Sequence, residues 1–515
     1  MGDRIPNWLE QRARTSPGHP ALIYEGRVIS YAELAARVAL VSGRLHRLGV
    51  RPGDRIGMLM GNRPEFVELL HAAARAGAVV VPLHARLSPA EITRQLVDCT
   101  VRVLFHDHAA RDTVAGVRQT LALPVVSVEH DPWNAEQPLD PVAADSEGTA
   151  ARMDLADTHS IVYTSGSSGR AKGVRLTFGN VFWSAVGSAF NIGVHGDDRW
   201  LACLPFCHVG GLSILWRSVI YGTTAVIHNG FDPVRVDRAL DDERVTIVSV
   251  VANMLQRLLD VRGTRPAPPW LRCILVGGGP VPLALLQESR ARGFAVMQTY
   301  GLTETASQAT TLAPVDAERK IGSAGKPLLG TQVIVWGTDG PAPAGEAGEI
   351  LVRGPSLSPG YLAPADDQNR QDGWFHTGDL GRMDDEGFVF VLGRRDDMII
   401  SGGENIHPGE VEAALHTHAS VAEACVYGVP DDRWGAAVAA SVRLRPGMTA
   451  TAADLTEHVR LRLGRFKVPR GIVFVDDFPR TASGKIVRSS VRSACLQRAA
   501  GEPSGGIEFR SVGGE

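Results

Sequence analysis

The feature that most constrains this chain is the alternation, over residues 33–105, of helical periodicity with short apolar runs. Residues 33–48 place apolar side chains at helical spacing and stop at Gly49, a residue suited to a left-handed cap. Residues 55–60 read as a short buried strand, and 64–76 as an amphipathic helix ended by Gly77. Strand-like runs at 79–83 and 101–105 enclose a further helix over 89–96. Strand, helix, strand, helix implies a parallel sheet with right-handed crossovers. The alternation resumes with strands at 225–228, 246–251 and 272–276 and helices at 234–240 and 254–259. From 332 the pattern changes to short strands (332–336, 349–353, 388–392) under close Gly/Pro punctuation, which predicts a small antiparallel sheet or barrel. The charged break GRRDD at 393–397 precedes a new α/β pattern. The fold expected is α/β, with a large N-terminal domain (1–394) of parallel α/β sheets plus a small β-barrel-like part. A smaller α+β domain (395–515) follows, its glycine-rich tail 501–515 expected to be disordered.

At 515 residues the chain exceeds one ordinary core, in line with that division. Hydrophobic content of 44% and charged content of 21% fit a globular protein in water. A net charge of −3 supplies no general pull toward nucleic acid or anionic membrane. The first eighteen residues contain no apolar h-region and no run is long enough for an integral membrane segment, so residence in the cytoplasm is expected. The six cysteines are scattered; Cys203 and Cys207 lack a second pair that would complete a zinc set nearby, so reduced thiols are expected.

Residues 163–174, YTSGSSGRAKGV, hold three glycines, three serines, a threonine and a lysine directly after the apolar pair Ile161 and Val162. Glycine lets backbone N–H groups approach an anion, hydroxyls add donors, and Lys172 adds a point charge. The stretch reads as a phosphate loop, although the same composition suits a flexible surface loop. It departs from the Walker spacing, because Val174 follows Lys172 and Gly173 where that pattern needs Ser or Thr after Gly-Lys.

Four further stretches follow in order: YGLTET from Tyr300, GWFHTGDLG from Gly373, GRRDDMIISGGENIHPGEVE from Gly393 and PRTASGKIVR from Pro479. Together with the loop they resemble the adenylate-forming superfamily of acyl-CoA synthetases, peptide-synthetase adenylation domains and luciferases, over almost the entire chain. The resemblance implies a two-step reaction. A carboxylate attacks the α-phosphorus of ATP to give an acyl adenylate and pyrophosphate, and a thiol then displaces AMP. ATP, Mg²⁺ and coenzyme A are the implied cofactor set.

By the same resemblance, Thr164, Ser165, Gly166, Ser167, Ser168, Gly169 and Lys172 would grip the β- and γ-phosphates. Thr303 would meet the α-phosphate and Glu304 would hold Mg²⁺, hard oxygen ligation suiting that ion. Glu304 would also suit the first turn of a helix capped by Thr303. Gly277, Gly278 and Gly279 would admit adenine, with Tyr300 stacking on it and Gly301 beside it. Asp379 and Arg394 would contact ribose, Asp379 through two acceptor oxygens. The C-terminal domain would be mobile. Lys485 would reach the α-phosphate during adenylation, Asp396 would be the hinge, and Gly402 and Gly403 would line the pantetheine path after rotation. Taken without the family, Lys485, Asp379 and Arg394 read as ordinary surface or turn charges.

For the acid, the segment LPFCHVGGLSILWRSVIYGTTAVIH from Leu204 and the segment from Leu271 resemble the o-succinylbenzoate–CoA ligases of menaquinone synthesis more than fatty-acid ligases. That substrate has two carboxylates, one of which stays unreacted and needs a fixed cation, for which Arg is suited. Arg217, nine residues after His208 in an apolar helical pattern, is the candidate; the alternative is an arginine snorkelling from a helix edge. His208 resembles the gate residue of the acyl site, and Ser307 is placed to hydrogen-bond the acyl group. Gly210, in HVGG, departs from the serine that some of these ligases carry. A fatty- or aryl-acyl-CoA ligase, or a stand-alone enzyme loading a carrier protein, remain the alternatives. The partners expected are thus a small carboxylate, ATP and CoA, with self-association left open.

Overall fold

The computed structural model describes residues 4–129, 152–165, 171–279, 281–401, 404–431, 434–481 and 484–499. Gly166, Ser167, Ser168, Gly169, Gly402, Gly403 and the tail 501–515 lie outside them. The architecture is mixed α/β, with two large sheets, a smaller antiparallel sheet and a C-terminal α+β unit.

The first large sheet has seven strands, in the order Gly360–Tyr361, Ala171–Thr177, Thr158–Ser165, Val79–Pro82, Arg55–Leu59, Val103–His106 and Val125–Ser127. The last five run parallel. One of the intervening helices has the bounds expected from the sequence, and another starts two residues before its expected position. The helix Pro64–Ala76 starts on a proline and ends at Gly77, whose φ of 69° is left-handed. The helix Tyr31–Arg47 opens on a capping box between Ser30 and Glu33.

The second large sheet has nine strands, six of them parallel: Val296–Tyr300, Cys273–Val276, Ile247–Val250, Arg199–Ala202, Thr224–Ile227 and Pro20–Tyr24. Ile247–Val250 and Cys273–Val276 are buried at every position, as central strands covered on both faces must be. One arrangement was not expected from the alternation. The hairpin Pro20–Tyr24/Arg27–Ser30 precedes the first sheet in sequence yet forms an edge of the second, Leu22 pairing with Ala225. After a first short strand, Arg4–Pro6, that pairs with Arg152–Asp154, the chain thus enters the second sheet, builds the first and returns.

Five antiparallel strands make the small sheet: Gln332–Trp336, Ala347–Arg353, Trp374–Met383, Arg370–Gln371 and Val389–Arg394. The single turn Arg395–Asp397 leads to the hairpin Ile399–Ser401/Glu404–Ile406 and the three strands Val421–Asp431, Gly435–Leu444 and Gly471–Phe474. The helices Pro408–His416 and Ala452–Arg460 pack there around a separate apolar cluster containing Val411, Leu415, Val426 and Leu455. Arg488 ties the helix Arg488–Ala499 back, pairing with Asp397 and with Glu412 at 2.8 Å. All six cysteines are free thiols. No helix of the described residues is long and apolar enough to cross a membrane.

The largest core joins both big sheets through Trp8, Phe66, Phe178, Phe206 and Trp216. His71 and His159 stand edge-on to Trp216, ring centroids 4.9 and 5.1 Å away. Burial alone pushes both imidazoles down to about 3. A histidine free in the unfolded chain takes up its proton near 6.5, so these two stabilise the fold fully only above that pH. As pH falls from 6.5 to 5, unfolding binds more protons than folding and stability drops by about 4 kcal/mol, roughly 1.4 per pH unit for each histidine. Urea midpoints measured at pH 7.5 and 5 are expected to show the loss. His159→Phe, which keeps a ring against Phe178 and Trp216, is expected to halve it, the rest being His71; an unchanged slope would remove His159 from the account.

Candidate active site

One open cleft of about 2250 Å³ runs between the large sheets, the small sheet and the C-terminal elements. Thr164, Lys172, His208, Arg217, Gly277, Gly278, Gly301, Thr303, Glu304, Ser307, Arg394, Asp396 and Lys485 all line it.

The flanks of the phosphate loop are two paired strands. Thr158–Ser165 and Ala171–Thr177 pair antiparallel, with Thr164 opposite Lys172. Lys172 Nζ lies 3.8 Å from Asp366 and 5.2 Å from the centre of the Tyr361 ring. Tyr361 also donates its phenolic hydrogen to Glu304 Oε1 at 2.7 Å. Glu304 is buried in the single turn Thr303–Thr305, which follows the strand Val296–Tyr300. This turn is no ordinary helix start. Its cap position is Leu302, and the chain leaves it through Ala306 (φ 52°) and Ser307 (φ 107°), both in the left-handed half of backbone space. The loop is so tight that a Cβ at position 301 would sit 1.6 Å from the carbonyl oxygen of Ser307, which restricts that position to glycine.

Across the cleft, Tyr300 donates its hydroxyl to Asp379 Oδ2 at 2.7 Å, and Arg394 Nε lies 2.9 Å from Asp379 Oδ1. Asp379 and Arg394 face each other across two paired strands, and Arg394 donates a second hydrogen bond to the Thr377 carbonyl. Burial raises the Asp379 carboxyl, against the lowering by Arg394. Arg394, which lines the cleft, is thus held in a fixed direction by the buried Asp379 behind it. Gly278 (φ 81°) follows the strand Cys273–Val276, and a Cβ there would lie 3.5 Å from Lys485 Cε. Lys485 thus enters the nucleotide side of the cleft from the C-terminal elements. Its side chain is open to the cleft, yet the surrounding walls, and then Arg394, lower its pKa.

The other end of the cleft is apolar with one buried cation. Arg217 lies in the helix Val209–Tyr221 and is 2% exposed, so it does not snorkel to solvent. Nη2 donates to Ser184 Oγ at 3.1 Å, and Ser184 in turn donates to the Ala306 carbonyl at 2.9 Å. The guanidinium stands 5.5 Å from the centre of the Trp200 ring. Among the described residues no carboxylate pairs with it, and burial lowers its pKa. His208 precedes the same helix. Burial first, then His84 and Lys485, bring it down to about 4, so its imidazole is neutral at pH 7.

Most of the described residues singled out in the sequence therefore line one cleft; Gly279, Tyr300 and Asp379 do not, although Asp379 pairs with Arg394, which does. Asp396 sits exposed in the turn between the small sheet and the C-terminal unit. Three groups were not foreseen: Tyr361, which bonds Glu304 and underlies Lys172; Asp366, beside Lys172; and Ser184, which links Arg217 to the strained turn. A polar Ser184 inside an apolar helix was the one signal available for it.

A family model for AMP-binding enzymes matches residues 9–362, and one for the AMP-binding enzyme C-terminal domain matches 410–485. A 2–succinylbenzoate–CoA ligase of Bacillus pumilus is 44% identical over 494 residues, covering 95% of this chain and 98% of that one. The solved o-succinylbenzoate CoA synthetase of Bacillus subtilis, in complex with the acyl-adenylate intermediate, superposes with a TM-score of 0.87 at 40% identity, covering 95% and 98%. The same Bacillus subtilis enzyme with ATP and a magnesium ion gives 0.85 at 40% identity, covering 94% and 99%. Nucleotide-side geometry, acyl-side cation and near-complete overlap lead to one assignment: the chain belongs to the AMP-binding enzyme family and is an AMP-forming acid–CoA ligase.

Proposed function

We infer that this enzyme is a 2-succinylbenzoate–CoA ligase, which activates its acid with ATP and passes it to coenzyme A in menaquinone synthesis. The observation that carries this reading is Arg217, a guanidinium buried in the acyl end of the cleft with no acid beside it among the described residues. A buried charge without a partner opposes folding, so its retention points to a ligand that supplies the partner. A dicarboxylate does so with the group that does not react. A fatty acid would leave Arg217 unpaired.

The reaction brings two anions together and spreads negative charge over a five-coordinate phosphorus, so positioning and fixed positive charge carry the catalysis. Lys172 and the backbone N–H groups of its loop would hold the β- and γ-phosphates, and Asp366 and Tyr361 keep that lysine in place. Thr303 and Lys485 would meet the α-phosphate from opposite sides of the cleft. Asp379 with Arg394 would receive the ribose hydroxyls, and the Tyr300 ring would stack on adenine beside Gly278. Neutral His208 would stand next to the reacting carboxylate without pairing with it, leaving its attack unhindered. Ser307 would bond the acyl carbonyl. Mg²⁺, when bound, would neutralise phosphate charge; buried Glu304 fits it, because Tyr361 engages one oxygen and leaves the other for a hard cation. We place the hinge at Asp396, between domains 1–394 and 395–515, with Gly402 and Gly403 on the thiol path. We place the enzyme in the cytoplasm, where ATP and CoA are at hand.

The test is pyrophosphate release over a panel of 2-succinylbenzoate, medium- and long-chain fatty acids and simple benzoates. A preference for 2-succinylbenzoate of at least tenfold in kcat/KM is expected. Turnover of a fatty acid with none of 2-succinylbenzoate would reject the assignment.

A further inference from the structure

The cleft wall carries a donor set that ATP chemistry does not call for. His84 lies just past the strand Val79–Pro82, and Cys207 and His208 immediately precede the helix Val209–Tyr221. Each offers one ligand atom, and these nitrogen and sulfur atoms all lie within 4.8 Å of one another. All three residues are partly buried and line the cleft, and the two imidazole rings are 5.5 Å apart, tilted by 40°. Among the described residues, His208 Nε2 is buried with no hydrogen-bond partner. His84 Nδ1 accepts a 3.0 Å bond from the Arg86 backbone N–H.

Two imidazoles and a thiol form a borderline-soft set. It suits Zn²⁺ and fits poorly with Mg²⁺, which takes oxygen ligands. In a tetrahedral zinc site with bonds of 2.0–2.3 Å, neighbouring ligand atoms stand about 3.5 Å apart. Side-chain rotation by roughly an ångström would close the present spacing to that value. Binding must release the Cys207 thiol proton, a cost because burial pushes that thiol up to about 12, and the metal–thiolate bond has to offset it.

We propose that His84, Cys207 and His208 bind Zn²⁺ as a three-ligand site whose fourth position faces the cleft, and that the bound ion blocks the acid and stops adenylation. Three protein ligands leave one position for water or for an incoming carboxylate. An ion held there takes His208 out of the acyl site and offers the substrate carboxylate a stronger partner than the phosphorus it should attack. Inhibition is reversible by chelators and is not relieved by excess Mg²⁺.

The experiment uses the metal-free full-length protein. Co²⁺, the spectroscopic substitute for Zn²⁺, is expected to give tetrahedral visible bands and a thiolate charge-transfer band at one equivalent, and Zn²⁺ to abolish both. Cys207→Ser is expected to lose the charge-transfer band. Both Cys207→Ser and His84→Gln are expected to bind Zn²⁺ at least roughly tenfold more weakly, since even outer-shell changes cost that much. Pyrophosphate release, read against each protein's own zinc-free rate with Mg²⁺ in excess, should need correspondingly more Zn²⁺ for half inhibition in the variants. A wild-type Co²⁺ spectrum without a thiolate band overturns the proposal, whatever the variants do. So does unchanged Zn²⁺ affinity in the variant whose melting temperature matches wild type. Because the metal spectrum needs no acid, this outcome is independent of which carboxylate the enzyme activates.

Discussion

Lys485→Ala is expected to lower ATP-dependent pyrophosphate release by roughly 10²–10³-fold while sparing thioester formation from supplied acyl adenylate and CoA. The first part follows from position. Lys485 enters from the C-terminal elements, comes within reach of Gly278, and shares the cleft with Glu304 and Arg394. A fixed ammonium aimed at charge developing on phosphorus contributes about 10²–10³ in rate, because it acts where water is largely excluded and needs no reorganisation. The second part follows from where Lys485 is attached. Its backbone N–H bonds Thr481 Oγ1 within the C-terminal unit, so any rotation at Asp396 that opens the thiol path carries the lysine away with it. Among the described residues few side-chain bonds need to break for that: Asn253 donates to Glu423 at 3.4 Å, and Arg395 to Glu349 at 3.2 Å beside the hinge. Thermal melting controls for folding, and the two half-reactions are assayed separately. An equal fall in both would assign Lys485 a structural role instead.

The parts of the molecule that were legible in the sequence are those set by residues close together in the chain. The helix Pro64–Ala76 was bounded correctly because a proline and a left-handed glycine fix its two ends locally. Gly278, Thr303 and Glu304 were legible because they fall in loops at the ends of parallel strands, where motif and strand end coincide. What escaped depends on distant partners. Tyr361 meets Glu304 across 57 residues, Ser184 meets Arg217 across 33, and Asp397 meets Arg488 across 91. No spacing rule connects such pairs. The hairpin at 20–30 was missed for the same reason, its neighbour in the sheet lying two hundred residues on. Arg217 is the instructive case. Its helical neighbours marked it as odd, but whether it met water, an acid or nothing depended on how the helices Phe178–Ile192 and Val209–Tyr221 packed.

Arg217→Met is expected to cost roughly 10²–10³-fold in kcat/KM for 2-succinylbenzoate and to raise the melting temperature of the free protein. The two effects have one cause. In the free enzyme the guanidinium is fully desolvated, donates to Ser184 and faces Trp200, with no carboxylate near among the described residues. Replacing such a group by an apolar chain of similar length removes a desolvation cost, and Ser184 keeps its bond to the Ala306 carbonyl. With the diacid bound, the balance reverses. The substrate's second carboxylate would then be buried alone, a loss of about 3–5 kcal/mol. Two mono-acid analogues, each lacking one carboxylate of 2-succinylbenzoate, separate this from general damage to the site. The analogue that keeps the reacting carboxylate has nothing for Arg217 to hold, so wild type and Arg217→Met should turn it over within about threefold of each other, the other analogue being inert with both. Arg217→Lys tests the geometry, since a point charge on a flexible stem does not reproduce the planar fork, and it should recover only part of the loss. If Arg217→Met weakened diacid and mono-acid alike, or lowered the melting temperature, the arginine would be holding the helix and the strained Ala306 turn rather than the substrate.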